Sequence, residues 1–111
     1  MSRKGAVLVA LALAAIGSPA LAAEDADALA RGKTLFVQGA VPPCGVCHAL
    51  KDAGTSGSIG PALDELKPDV ERVLSAMKNG IGVMPSFKTS LDDAQMRAIA
   101  RYVAQASGGA K

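Results

Sequence analysis

The chain has 111 residues, half of them hydrophobic but only 3% aromatic, with 12 basic and 10 acidic side chains and a formal net charge of +2. That length allows one domain with a thin core, and so small a net charge gives no electrostatic footprint for nucleic acid. With two cysteines, one histidine and no tryptophan, a site built on soft metal ligands has few side chains to draw on.

Ser2, Arg3 and Lys4 open the chain with charge, and Ala6 to Ile16 is an unbroken apolar run of eleven residues. Gly17-Ser18-Pro19 breaks the run, and Ala20-Leu21-Ala22 has the small-residue pattern of a cleavage site. These features predict a secretory signal peptide over residues 1–22, a mature domain over residues 23–111 and a periplasmic location. The run is well short of the roughly 20 apolar residues that cross a bilayer, so no stable membrane insertion is expected after cleavage. Cleavage would remove Arg3 and Lys4 and leave ten basic against ten acidic residues.

Glu24 to Gln38 reads as a helix. Glu24, Asp25 and Asp27 suit its N-terminal end, Leu29, Gly32 or Lys33, and Phe36 share a face, and Gly39 is the stop. Val41-Pro42-Pro43 is stiff and extended. A short helical turn is expected over Cys47–Leu50, then a glycine- and hydroxyl-rich loop over Lys51–Gly60; its amides and the hydroxyls of Thr55, Ser56 and Ser58 either reach an anionic group or simply face solvent. Asp64–Leu66 suggests one turn. Pro68 suits the first position of the next helix, whose apolar stripe is Val70, Val73, Leu74 and Met77 and whose stop is Asn79-Gly80. Ile81–Thr89 reads as loop. Ser90 and Asp93 resemble a capping box for a last helix over Leu91–Gln105, with Met96, Ile99, Ala100 and Val103 on one stripe. Ser107–Lys111 is expected to fray. No region reads as strand, so the predicted fold class is all-α, with four to five short helices.

Cys44-Gly45-Val46-Cys47-His48 holds both cysteines and the only histidine. C-x-x-C-H is the attachment signature of a c-type haem. The two thiols form thioethers with the vinyl groups, and the adjacent imidazole binds the iron. Three other readings compete. A disulfide is possible in an exported protein. A dithiol redox pair would need βαβ units, and a zinc site would need a fourth ligand. Haem is the expectation: one, covalent through Cys44 and Cys47, with His48 as proximal ligand. The Pro61 carbonyl, in Gly60-Pro61-Ala62-Leu63, is the candidate acceptor for the other ring N–H of His48. The second axial ligand must be a methionine. Met77 and Met96 lie on apolar helical stripes and read as core, whereas Met84, in a loop before Pro85, is the candidate.

The ordered set Gly32, Phe36, Cys44 to His48, Gly60-Pro61-x-Leu63, Met84-Pro85 and Tyr102 resembles the small monohaem class I c-type cytochromes. The resemblance implies four to five helices around one covalently attached haem, with the first and last helices crossing at Gly32, Phe36, Ile99 and Tyr102. Three further runs are similar to the cytochrome subunits or acceptors of periplasmic sulfite dehydrogenases. They are Gln38 to Pro43, Thr55-Ser56-Gly57-x-x-Gly60-Pro61, and Gly82 to Phe87. This second likeness implies a molybdenum enzyme as redox partner.

The expected function is one-electron transfer without catalysis, from a dehydrogenase to a terminal oxidase or another cytochrome. The chain would act as a monomer or weak dimer. A haem protein with an exchangeable sixth site, binding a small ligand or doing redox catalysis, is the alternative. Val41, Pro42, Gly45, Val46, Ile81, Val83 and Pro85 form the expected docking surface, with Lys51 and Lys88 the nearest cations in sequence.

Overall fold

The computed structural model describes Gly5 and residues 19–109. Of the expected signal peptide, residues 1–4 and 6–18 therefore lie outside the described residues, as do Ala110 and Lys111. Helix α1 spans Pro19–Thr34 and runs into a π turn over Leu35–Gly39. It begins earlier than the Glu24 read from charge. The Ala40 N–H closes the turn on the Leu35 carbonyl at 2.9 Å, and Ala40 itself is extended, so Gly39 does mark the end.

The cysteine segment departs from the expected helical turn. A 3₁₀ turn covers Cys44–Val46, and the chain then extends into β1 (Ala49–Leu50), which pairs antiparallel with β2 (Thr55–Ser56). The hydroxyl of Thr55 explains the difference. It donates to the His48 carbonyl at 2.9 Å and accepts the Leu50 N–H at 3.0 Å. Helical bonding would require those same backbone groups. Leu50 is thereby directed fully into the core.

Helix α2 is a single turn over Leu63–Leu66, and α3 spans Val70–Asn79. Asp69, one residue after Pro68, is the N-cap of α3 and accepts the Arg72 N–H at 2.8 Å. Helix α4 spans Asp93–Ser107. Its capping box is Asp92 with Gln95, not Ser90 with Asp93. Asp92 accepts the Gln95 N–H at 2.7 Å, and the longer Gln95 side chain reaches back to the Asp92 N–H at 3.0 Å. Leu91 and Met96, both buried, occupy the two positions of a hydrophobic staple around that box. At the other end the expected fraying does not extend to Gly109. Gly108 is left-handed, the Gly109 N–H bonds the Ala104 carbonyl at 2.8 Å, and Gly109 is buried against the carbonyl of Lys67.

The core sits between α1, α3 and α4, and α1 against α4 is its most extensive helix pair. Gly32 makes that crossing possible. A Cβ there would overlap the Ala98 carbonyl oxygen and lie 2.7 Å from the Cβ of Tyr102. The backbone of α4 cannot yield as a flexible side chain would. Phe36 then meets Tyr102 edge to face, with ring centroids 5.9 Å apart, a favoured aromatic geometry. The four crossing residues expected from the sequence, Gly32, Phe36, Ile99 and Tyr102, are all buried in this region.

Candidate functional site

A cavity of about 370 Å³ opens between the cysteine turn, the Gly60–Leu66 segment, α3 and the loop after it. Every site residue named from the sequence lines it: Cys44, Cys47, His48, Pro61 and Met84. The rest of its wall is mainly aliphatic or aromatic, including Phe36, Leu63, Val73, Phe87, Ile99 and Val103. Such a volume and wall fall within the range of cofactor sites, roughly 300–1,000 Å³ and mostly apolar.

His48 is held from three directions. Its Nδ1 is 2.8 Å from the Pro61 carbonyl oxygen. A carbonyl only accepts, so Nδ1 carries a proton, and in the neutral imidazole the lone pair is then on Nε2. Gly60 packs flat against the ring, where an added Cβ would come within 2.5 Å of Cε1 and 2.9 Å of Nδ1. The Gly60 N–H bonds the Cys47 carbonyl at 2.7 Å, which ties the Pro61 segment to the cysteine turn. The Thr55 hydroxyl fixes the His48 carbonyl from behind.

Both cysteines are free and half-buried. Burial pushes the Cys44 thiol up to about 11, with the neighbouring Cys47 adding to the effect. An activated redox dithiol needs the opposite shift. Among the described residues the only strands are two of two residues each, so the βαβ units of a dithiol oxidoreductase are absent there.

Met84 lies in a tight turn that folds back on the end of α3. The N–H of Ile81 bonds the Met84 carbonyl at 3.0 Å, and the Met84 N–H bonds the Ile81 carbonyl at 2.9 Å. Two groups that the sequence reading did not single out anchor this turn. The Ser86 hydroxyl donates to the Lys78 carbonyl at 2.7 Å, and the Phe87 N–H donates to the Met77 carbonyl at 2.8 Å. Gly80, read only as a helix stop, has φ +70° and ψ 163° and lies under the Met84 carbonyl. Met77 is buried but also reaches the cavity wall, whereas Met96 is buried away from it. A porphyrin with two vinyl groups fits this donor set: two thiols beside an imidazole with a free Nε2, and a thioether in a braced loop.

Three residues of the cavity wall are exposed apolar side chains, Ile59, Ile81 and Val83. Val41 and Val46, next in sequence to the wall residues Pro42 and Cys47, are exposed as well, and the five are between 55% and 84% exposed. Four of them were expected from the sequence, and Ile59 adds to the patch from the hydroxyl-rich loop. None of Thr55, Ser56 and Ser58 lines the cavity. Among the described residues, no helix is long and apolar enough to cross a membrane.

Comparison with known proteins matches this arrangement. Residues 27–103 match the family described as cytochrome C oxidase, cbb3-type, subunit III. The chain is 34% identical over 82 residues to cytochrome c6 of Leptolyngbya boryana, covering 70% of this chain and 91% of that protein. It is 32% identical over 97 residues to the cbb3-type cytochrome c oxidase subunit CcoP of Azospirillum sp. (strain B510), covering 78% of this chain but 31% of that subunit. The crystal structure of the c-type cytochrome SorU from Sinorhizobium meliloti is similar with a TM-score of 0.72 at 48% identity, over 78% of this chain and 98% of SorU. On the family match over residues 27–103, the likeness to cytochrome c6 and the fold shared with SorU, the chain belongs to the small class I c-type cytochromes, haem proteins that carry electrons.

Proposed function

We propose that residues 23–111 act in the periplasm, after loss of residues 1–22, as a one-electron carrier with a single haem bound through Cys44 and Cys47 and ligated by His48 and Met84. The observation that carries this reading is the convergence of those four side chains on one apolar cavity. When bound, the haem supplies an iron that alternates between ferric and ferrous. The protein's part is to keep both ligand side chains in place so that little reorganises between the two states. His48 is suited to this by the Pro61 hydrogen bond, which sets its tautomer and strengthens its donation. Met84 is suited by the hydrogen-bonded turn and by Ser86 and Phe87 on its C-terminal side. A thioether opposite an imidazole tends to raise the reduction potential.

The electron donor we infer is a dehydrogenase, with a molybdenum sulfite dehydrogenase the first candidate. The likeness of residues 38–43, 55–61 and 82–87 to cytochromes that accompany such enzymes supports it. The likeness to a cytochrome c oxidase subunit fits an acceptor on the oxidase side, or another cytochrome. The exposed apolar side chains of Ile59, Ile81 and Val83 on the cavity wall fit a transient interface.

The absorption spectrum of the purified ferric protein tests the proposal. The expected result is a thioether-haem spectrum with the weak long-wavelength band of a methionine sulfur–iron bond. Haem without that band would transfer the function to ligand binding or catalysis at an exchangeable site. Protein without haem would overturn both readings.

A further inference from the structure

Among the described residues, Arg72 is the one side chain of fixed charge in the cavity wall. It stands in the first turn of α3, where the free N–H groups of the helix make a cation unfavourable. Its acidic neighbours are engaged elsewhere. The Asp69 carboxylate caps the helix on the Arg72 backbone N–H, and Glu71 pairs with Arg97 at 3.8 Å. No ion pair among the described residues holds the guanidinium. The hydroxyls that the sequence offered for an anionic group lie off the wall, and that of Thr55 is committed to the β1–β2 turn.

We propose that Arg72 is the anion-binding residue of the cofactor site, pairing its guanidinium with a propionate carboxylate of the haem at the cavity mouth. The inference rests on the haem reading above. A carboxylate at the edge of an apolar cavity is costly without a partner. The planar fork of arginine matches a carboxylate and is more weakly hydrated than an ammonium. Two consequences follow. A fixed cation near the iron favours the ferrous state, which carries one positive charge fewer. It also keeps the paired propionate ionised into the acid range, which holds the potential level where an unpaired propionate would titrate.

The test is the midpoint potential of the holoprotein as a function of pH, from about pH 4 to 9, for wild type, Arg72→Leu, Arg72→Lys and Arg97→Leu. Arg72→Leu should lower the potential and move its acid-side inflection to higher pH. Arg72→Lys, which keeps the charge but loses the fork, should lie between Arg72→Leu and wild type, and it carries the test if the leucine variant fails to fold. Arg97→Leu removes the same charge from a residue off the cavity wall and should leave the inflection in place. An Arg72→Leu protein with an intact ferric spectrum and the wild-type potential at every pH would overturn the proposal. So would an inflection moved equally by Arg97→Leu. A wild-type protein without the haem spectrum would sink the haem reading itself.

Discussion

His48 illustrates how little freedom the site residues have. Pro61 orients one ring nitrogen, Gly60 covers a ring face, and Thr55 fixes the backbone carbonyl. None of these contacts needs the cofactor, so the imidazole is preorganised by the chain itself. The methionines separate by environment. Met77→Ala removes a buried side chain and should cost about 2–5 kcal/mol of stability while leaving the long-wavelength ferric band. Met84→Ala, at a partly exposed turn, should cost less stability, abolish that band, and let the ferrous protein bind carbon monoxide. Thermal melts and spectra of the two variants check both halves. A band that survives Met84→Ala and disappears in Met77→Ala would exchange the two roles.

At the scale of elements, the loop after α3 is the decisive piece. Gly80 has a backbone conformation, φ +70° and ψ 163°, that is essentially reserved for glycine. A Cβ there would also come 2.7 Å from the Met84 carbonyl oxygen. Gly80→Ala should therefore cost about 1–3 kcal/mol and displace the turn that presents Met84. The expected signature is a weakened long-wavelength band together with a lower melting temperature. A variant with the wild-type band would mean that the turn does not position the thioether. The Asp92–Gln95 box shows a different lesson. Cap residues can be recognised by type, but which of several neighbouring candidates is used depends on where Leu91 and Met96 anchor the helix.

Two features act on the whole molecule. Tyr102 on α4 donates to the Asp52 carboxylate at 2.5 Å, and Lys33 on α1 lies 3.4 Å from the same oxygen. This cluster joins both crossing helices to the turn between β1 and β2. Burial pushes the Tyr102 hydroxyl upward, and the bond to Asp52 adds to it. Its stabilising share is full below the free tyrosine value of about 10 and is lost as pH rises beyond it. The Tyr102 hydrogen bond holds the Asp52 carboxyl below its usual range. That share is present above about pH 4 and fades as pH falls through the lowered value. Tyr102→Phe should flatten both limbs of melting temperature against pH; limbs unchanged in the variant would show that the cluster contributes nothing measurable. The cavity is the second feature. Its mainly aliphatic and aromatic wall is apolar surface that a bound haem would cover and that water would otherwise meet. Protein made without haem should thus be largely unfolded by circular dichroism, and a cooperative melt near that of the haem-loaded protein would refute this. The exposed apolar side chains of the wall lead to one more expectation. Electron-transfer rates with a partner should change by less than about threefold as added salt shortens the Debye length from about 30 to about 8 Å. A steep fall would point to steering charges instead.

Much of this protein is written locally. The stripe of Val70, Val73, Leu74 and Met77, the glycine stops and the C-x-x-C-H run are patterns within a few residues, and the helices and the family likeness follow from them. The sequence also singled out Pro61 and Met84, because proline and an isolated loop methionine have few other uses. Other features needed the packed chain. The β1–β2 hairpin depends on one hydroxyl bridging residues 48, 50 and 55. The Tyr102–Asp52 bond joins side chains 50 positions apart, and Arg72 reads as an ordinary helix-surface cation until α3 is placed beside the cysteine turn. Local spacing can announce a helix face or a ligand motif because chain geometry is short-ranged. Which distant side chains share a cavity is decided only when the core closes around it.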